Sequence, residues 1–219
     1  MAKIQKKPAE KQIINPKTER QILLILGALI VLALVYFSFS YLFSGLGKVK
    51  YEGLTFAKEM YGQLPVYRYS YLVRSPSGET FQYNLFLRNN PKENKVPIEG
   101  KIAYPEGEDV LVGINGTGLI GCQNSTIAVA SLSQFLANNF INIKAGSADL
   151  KEAEQKNLTY INCRIYPGNT VIIIKEGNET KITKEGANCH TIEAANCEIL
   201  RAAEKFIVQS VIDMQNSSS

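Results

Sequence analysis

The chain has 219 residues, 45% of them hydrophobic and 20% charged, with 16 Gly, 8 Pro, 4 Cys, one His and no Trp. That composition excludes a disordered or collagen-like chain, and one His with four Cys leaves little material for a multi-ligand metal site. The formal net charge of +4 lies wholly in residues 1–21, where Lys3, Lys6, Lys7, Lys11, Lys17 and Arg20 face Glu10 and Glu19; residues 44–219 sum to zero. A neutral domain without a Lys/Arg run has no field for a phosphate backbone, which argues against nucleic acid binding.

In chain order, residues 1–21 read as a basic, disordered cytoplasmic tail. Ile22 to Phe43, ILLILGALIVLALVYFSFSYLF, is an uncharged run of 22 residues. At about 1.5 Å per residue it reaches across a hydrocarbon core of about 30 Å, so it predicts a transmembrane helix, with Tyr36 and Tyr41 near its far interface. The basic cluster before it predicts a cytoplasmic N-terminus and everything after it outside. The run is longer than a signal-peptide core, which favours a retained signal anchor over a cleaved signal, although Ser38-Phe39-Ser40 offers a small-x-small site. A pilin-like reading fits poorly, because Arg20-Gln21 stands where a small residue belongs and no acid follows in the first turns.

Residues 44–65 read as a juxtamembrane connector, flexible at Ser44-Gly45-Leu46-Gly47 and helical over Leu54–Tyr61. A domain over 66–214 follows. Tyr67, Tyr69, Tyr71 and Val73 share one face at period two, as do Phe81, Tyr83, Leu85 and Leu87, with a Ser75–Gly78 turn between: a hairpin whose tyrosine stripe packs on the core with hydroxyls at the rim. Lys101–Tyr104 predicts a short strand. Val110–Ile114, a helix over Ser125–Asn139 capped by Asn124 or Ser125, and Ile141–Lys144 predict a βαβ unit with parallel strands. A short helix over 149–157, strands over Tyr160–Tyr166, Thr170–Lys175 and Lys181–Thr183, and an amphipathic helix from Glu193 to Met214 complete it, with 215–219 a disordered tail. The expected fold class is α/β: a transmembrane helix, then a mixed-sheet α/β sandwich ending in an amphipathic helix.

Five sequons, Asn115, Asn124, Asn157, Asn178 and Asn216, and all four cysteines, Cys122, Cys163, Cys189 and Cys197, follow the apolar run. Both features suit a glycoprotein domain in an oxidising compartment. Cys189 and Cys197, seven residues apart at the entry to the last helix, are expected to pair, leaving Cys122 with Cys163; the alternative joins Cys163 to Cys189 and Cys122 to Cys197.

Gly116-Thr117-Gly118-Leu119-Ile120-Gly121 fits G-x-G-x-x-G between a strand and a helix. No acidic residue stands about 20 positions on, and the helix starts late, so dinucleotide binding is not expected. Cys163, Cys189, His190 and Cys197 lack zinc-ligand spacing. His190 reads as a surface or loop residue with no nucleophile context, and no carboxylate pair is placed across a cleft. No catalytic, cofactor-binding or metal residue is therefore assigned, and no cofactor.

LRNNPKENKVPIEGKI (Leu87–Ile102) and NCEILRAAEKFI (Asn196–Ile207) resemble stretches of uncharacterised single-pass membrane proteins of archaea. The resemblance implies the same topology and lends no activity. The expected function is a membrane-anchored extracytoplasmic binding or assembly domain with protein partners, an accessory subunit at the cell surface. The alternative is an extracytoplasmic enzyme with its site at the loop 115–124.

Overall fold

The computed structural model describes residues 16–44, 47–105 and 107–217. Residues 1–15 of the expected tail, Gly45-Leu46, the Tyr41 side chain and Ser218-Ser219 lie outside the described residues. The chain divides into two compact units, Met1–Gly47 and Lys48–Ser219.

The first unit carries α1 (Pro16–Ser44). Residues 16–21 are therefore helical rather than part of a disordered tail; proline fits the first helical position, where its missing N–H is not needed. Arg20–Ser38 is long and apolar enough to cross a membrane, and no part of that window is buried against protein.

The second unit is a mixed α/β domain with two sheets. An antiparallel meander runs β1 (Lys48–Tyr51), β2 (Leu54–Tyr61), β3 (Leu64–Arg74), β4 (Thr80–Leu87), in that spatial order. The helix expected over 54–61 is thus a strand. Leu54 and Phe56 are buried at period two, and Glu52-Gly53, with φ +47° and +82°, makes the two-residue turn that hairpins favour. The β3–β4 hairpin pairs Tyr67 with Leu87, Tyr69 with Leu85 and Tyr71 with Tyr83, as the alternation predicts. The tyrosine stripe packs on the core, and its hydroxyls accept hydrogen bonds at the rim: Tyr71 from Asn139 Nδ2 at 2.9 Å and Tyr69 from Gln215 Nε2 at 2.7 Å.

The second sheet has order β6-β5-β7-β9-β8. β5 (Val110–Ile114), β6 (Ile143–Ser147), β7 (Thr170–Glu176) and β9 (Cys189–Ala194) are parallel, and β8 (Lys181–Glu185) is antiparallel to β9. α2 (Ser125–Asn138) connects β5 to β6, the predicted βαβ unit, and α3 (Leu150–Lys156) follows β6 with Asp149 as its N-cap. Asn124 holds the N-cap position of α2 but makes no capping bond with its side chain.

Three further expectations fail for identifiable reasons. Lys101–Tyr104 is not a strand, because Ile102 N–H donates to Asp213 Oδ2 and the Lys101 carbonyl accepts from Lys184 Nζ instead of a ladder. Tyr160–Tyr166 is held by one bridge, Ser147 to Tyr160, and by an Asn162 side chain that accepts from the amides of Arg164 and Ile165. Glu193 does not open a helix. It lies in β9 opposite Lys175, to which it is ion-paired at 3.0 Å, and α4 (Ile199–Ser217) starts six residues later and runs through residues 215–217 of the expected tail.

α4 is buried on nearly every side, because the main core joins residues of both sheets with those of α2 and α4. A helix in that position must satisfy its polar groups internally. Glu204 accepts from the backbone of Arg88 and Asn89, Lys205 donates to Tyr51 Oη at 2.7 Å, and Ser210 meets Tyr104 Oη at 2.8 Å. A smaller core of Leu111, Ile161, Val171, Ile173 and Cys189 lies on the opposite face of the five-stranded sheet. Gly146 admits this layer: a Cβ there would collide with the Thr159 carbonyl.

Candidate functional site

The glycine-rich loop lies beside the β5–β7 boundary, where crossovers leave in opposite directions and α/β sheets usually bind ligands. Here the space is filled by the chain itself. Gly116 N–H donates to Glu152 Oε2 at 3.2 Å, Thr117 N–H to Asn115 Oδ1, and Leu119 and Ile120 N–H both to the Gly116 carbonyl. Leu119 is buried, and a Cβ on Gly118 would run into Glu176. Lys156, the Gly116 amide and Ser147 hold the Glu152 carboxyl down to about 2, so the loop is already wrapped on a carboxylate. Such a loop repels phosphate rather than cradling it.

The cysteines pair as Cys122–Cys197 and Cys163–Cys189. This overturns the expected pairing of Cys189 with Cys197. Cys189 opens β9 instead of lying in a turn, so its neighbour is the chain that covers the sheet, not the α4 entry. All four sulfurs are consumed, which dissolves the zinc-like set. His190 is fully buried on β9 against the Phe206 ring, not on a surface loop, and among the described residues neither ring nitrogen has a hydrogen-bond partner. Burial and the nearby Lys184 charge pull its pKa down to about 4, with Asp213 opposing. Asn124, Asn157, Asn178 and Asn216 are exposed and Asn115 is half-buried.

An apolar opening lies elsewhere. A groove of about 420 Å³ runs between β4 and α2. Tyr61, Leu64, Val66 and Phe86 line it from one face of the meander, and Tyr71 and Leu85 from the other. α2 contributes Ile127, Ser131, Gln134 and Asn138, one stripe at helical spacing. Arg88 and Glu204 close one end. Tyr61 and Phe86 are 61% and 44% exposed and meet edge to face at 6.3 Å, so the wall is an aromatic pair open to solvent. Burial raises the Glu204 pKa, while the Arg88 amide, the Asn89 side chain and amide, and the nearby Arg88 charge oppose the rise. Arg88 is exposed, donates to Asn124 Oδ1 at 3.4 Å, and forms no ion pair among the described residues.

A second, polar pocket of about 450 Å³ adjoins Arg88. It is formed where the two stretches 87–102 and 196–207 meet: Asn89, Asn90 and Asn94 from the first, Glu198 and Arg201 from the second. Asn94 Nδ2 donates to the Arg201 carbonyl at 2.8 Å, which fastens one to the other.

Of the groove residues, the sequence marks Tyr71 and Leu85 only as core-facing members of the hairpin, and it marks no groove. The available signal for its open wall was Phe86, a large apolar side chain at a solvent-facing position of an alternating hairpin. Compared with protein-family models, curated proteins and solved structures, the chain matches none of them.

Proposed function

We propose that this chain is a single-pass, membrane-anchored binding domain whose β4–α2 groove receives a partner protein at the cell surface. α1 is the anchor, its N-terminus is cytoplasmic, and residues 48–219 lie outside as a disulfide-bonded α/β sandwich. Support for the orientation comes from the six basic residues that precede the apolar run. Two disulfides suit an oxidising compartment, and four exposed sequons suit glycosylation there. An accessory role within a membrane assembly fits a domain that offers a docking groove.

The observation that carries the reading is the groove itself. It is apolar and of ligand-pocket size, and its wall of Tyr61, Leu64 and Phe86 stays exposed although a core lies underneath. The test places a photoactivatable side chain at Phe86 and, separately, at Ile165, an exposed apolar residue away from the groove. Illumination of intact cells should join a protein of one defined mass to the Phe86 position and not to Ile165. Equal labelling at both positions would overturn the assignment. Protease added to the same cells should remove the C-terminal domain and spare an N-terminal tag; the reverse would overturn the orientation.

A further inference from the structure

Each sheet has two edges, and among the described residues the four edge strands are not alike. β1, β6 and β8 have four, five and five residues and carry Lys48 and Lys50, Lys144, and Lys181 and Lys184 respectively. Short, charged edges block pairing with another chain. β8 is also covered, since Ile182 exchanges backbone bonds with Pro97 and Glu99. β4 is the exception: eight residues, TFQYNLFL, with no charge and no proline. It ends the sheet with no outer backbone hydrogen bond among the described residues, and its Asn84, Leu85 and Phe86 line the groove.

The groove is lined from both faces of the meander. A compact ligand in a surface cleft would be gripped from one face. A strand laid along β4, about 4.8 Å away, sends alternate side chains to opposite faces of the sheet. One set would meet Phe86, Tyr61 and Val66; the other would meet Leu85, Tyr71 and the Ile127 stripe of α2. Arg88, just past the strand's end, supplies a positive charge with no ion pair within salt-bridge distance among the described residues, and the nearby Glu204 carboxylate, whose pKa it lowers, is held by the amides of Arg88 and Asn89.

We propose that the groove takes an extended segment of the partner protein, which adds as a fifth strand to β4 and places an acidic side chain against Arg88. This rests on the groove being the docking site. Backbone bonds to β4 supply the affinity, and the two rows of pockets supply the selection for alternating apolar residues.

The test uses the full chain in lipid nanodiscs and a random dodecapeptide display library as the probe. Enriched peptides should carry apolar residues at period two and an Asp or Glu. Their binding should weaken about tenfold on Phe86→Ala and about threefold on Arg88→Gln. Alternate amides within Thr80–Leu87 should slow in hydrogen exchange by at least about tenfold when peptide is bound. Circular dichroism of both variants, whose side chains are exposed, controls for folding. Peptides that lose binding on Phe86→Ala but leave β4 exchange unchanged would overturn strand addition while keeping the docking site. Binding indifferent to Arg88→Gln would overturn the acidic contact. Failure to enrich any peptide, or peptides indifferent to Phe86→Ala, would overturn the docking site and the strand addition together.

Discussion

The two sheets of the domain solve the same problem in opposite ways. The five-stranded sheet is apolar on both faces, with Ile172, Ile174 and Ile192 toward the main core and Val171 and Ile173 toward the smaller one. Its edges are charged, and β8 is also covered by chain. The meander buries one face only, through a tyrosine stripe whose Tyr69 and Tyr71 hydroxyls accept side-chain hydrogen bonds at the rim, and leaves a long uncharged edge beside a groove. The first sheet is built for stability and the second can give up stability for contact. A parallel sheet needs cover on both faces, whereas an antiparallel meander does not, so the open edge falls where the topology permits it.

Both disulfides belong to the closed half, and neither touches the meander. Cys122–Cys197 ties the loop before α2 to the start of α4 across 75 residues, and Cys163–Cys189 fastens the covering chain to β9 across 26. On the chain-entropy account their removal costs about 4.5 and about 3.5 kcal/mol. Cys122→Ala with Cys197→Ala should therefore be the most damaging change. Urea unfolding of the full chain in detergent checks this, after non-reducing peptide mapping has found both cross-linked pairs. A loss under 1 kcal/mol would mean that the central helices are held by packing alone. Next in size is Phe206→Ala in the middle of α4, fully buried between the sheets, which should cost about 4 kcal/mol. The same truncation at Phe86 should cost under about 1 kcal/mol, since that ring is already partly in water. Equal costs would erase the distinction between the sheets.

The legibility of the sequence follows the same division. Val110–Ile114 and the β3–β4 hairpin were readable because burial imposes a period or an unbroken apolar run there. β9 was not: Cys189-His190-Thr191 looks polar, and Glu193 resembles a helix opener until Lys175 on the neighbouring strand pairs with it. Leu54–Tyr61 failed for the opposite reason. Its local propensity permits a helix, and only pairing with β1 and β3 makes it a strand. The disulfides were misread because sequence proximity replaced spatial proximity. The groove was illegible for a deeper reason: it exists between β4 and α2, which no periodicity connects.

His190 gives the closed half a pH dependence in the acid range. Its folded pKa of about 4 lies below the ordinary value of 6.5, so the unfolded chain binds the proton more readily. Stability should be full above about pH 6.5 and fall as the pH drops, with the loss complete below about pH 4 at about 3 kcal/mol. His190→Leu should flatten that slope between pH 6.5 and 4 in urea titrations. A slope that persists unchanged would assign the acid sensitivity to another group. Glu152 acts further down: its carboxyl, held at about 2 against an ordinary 4.5, contributes stability that is full above about pH 4.5 and is lost progressively as the pH falls to 2. The two groups are therefore separable on one pH axis.

The smallest expected effect on stability is the most informative about the open edge. Gln82 is exposed on β4 opposite Leu72, and no hydrogen bond of its side chain is present among the described residues. Gln82→Lys puts on this edge the kind of charge that the other three edges already carry. Packing is untouched, so stability in urea should change by less than about 0.5 kcal/mol. Pairing is another matter. A strand approaching β4 would have to accommodate a lysine with its hydration shell, so peptide affinity should drop although the fold does not. Any concentration-dependent self-association seen by sedimentation should drop with it. A variant that loses stability by more than 1 kcal/mol would mean that β4 is already engaged within the domain. A variant that keeps both stability and peptide affinity would place the docking contact on the groove wall of α2 and Phe86, away from the strand edge.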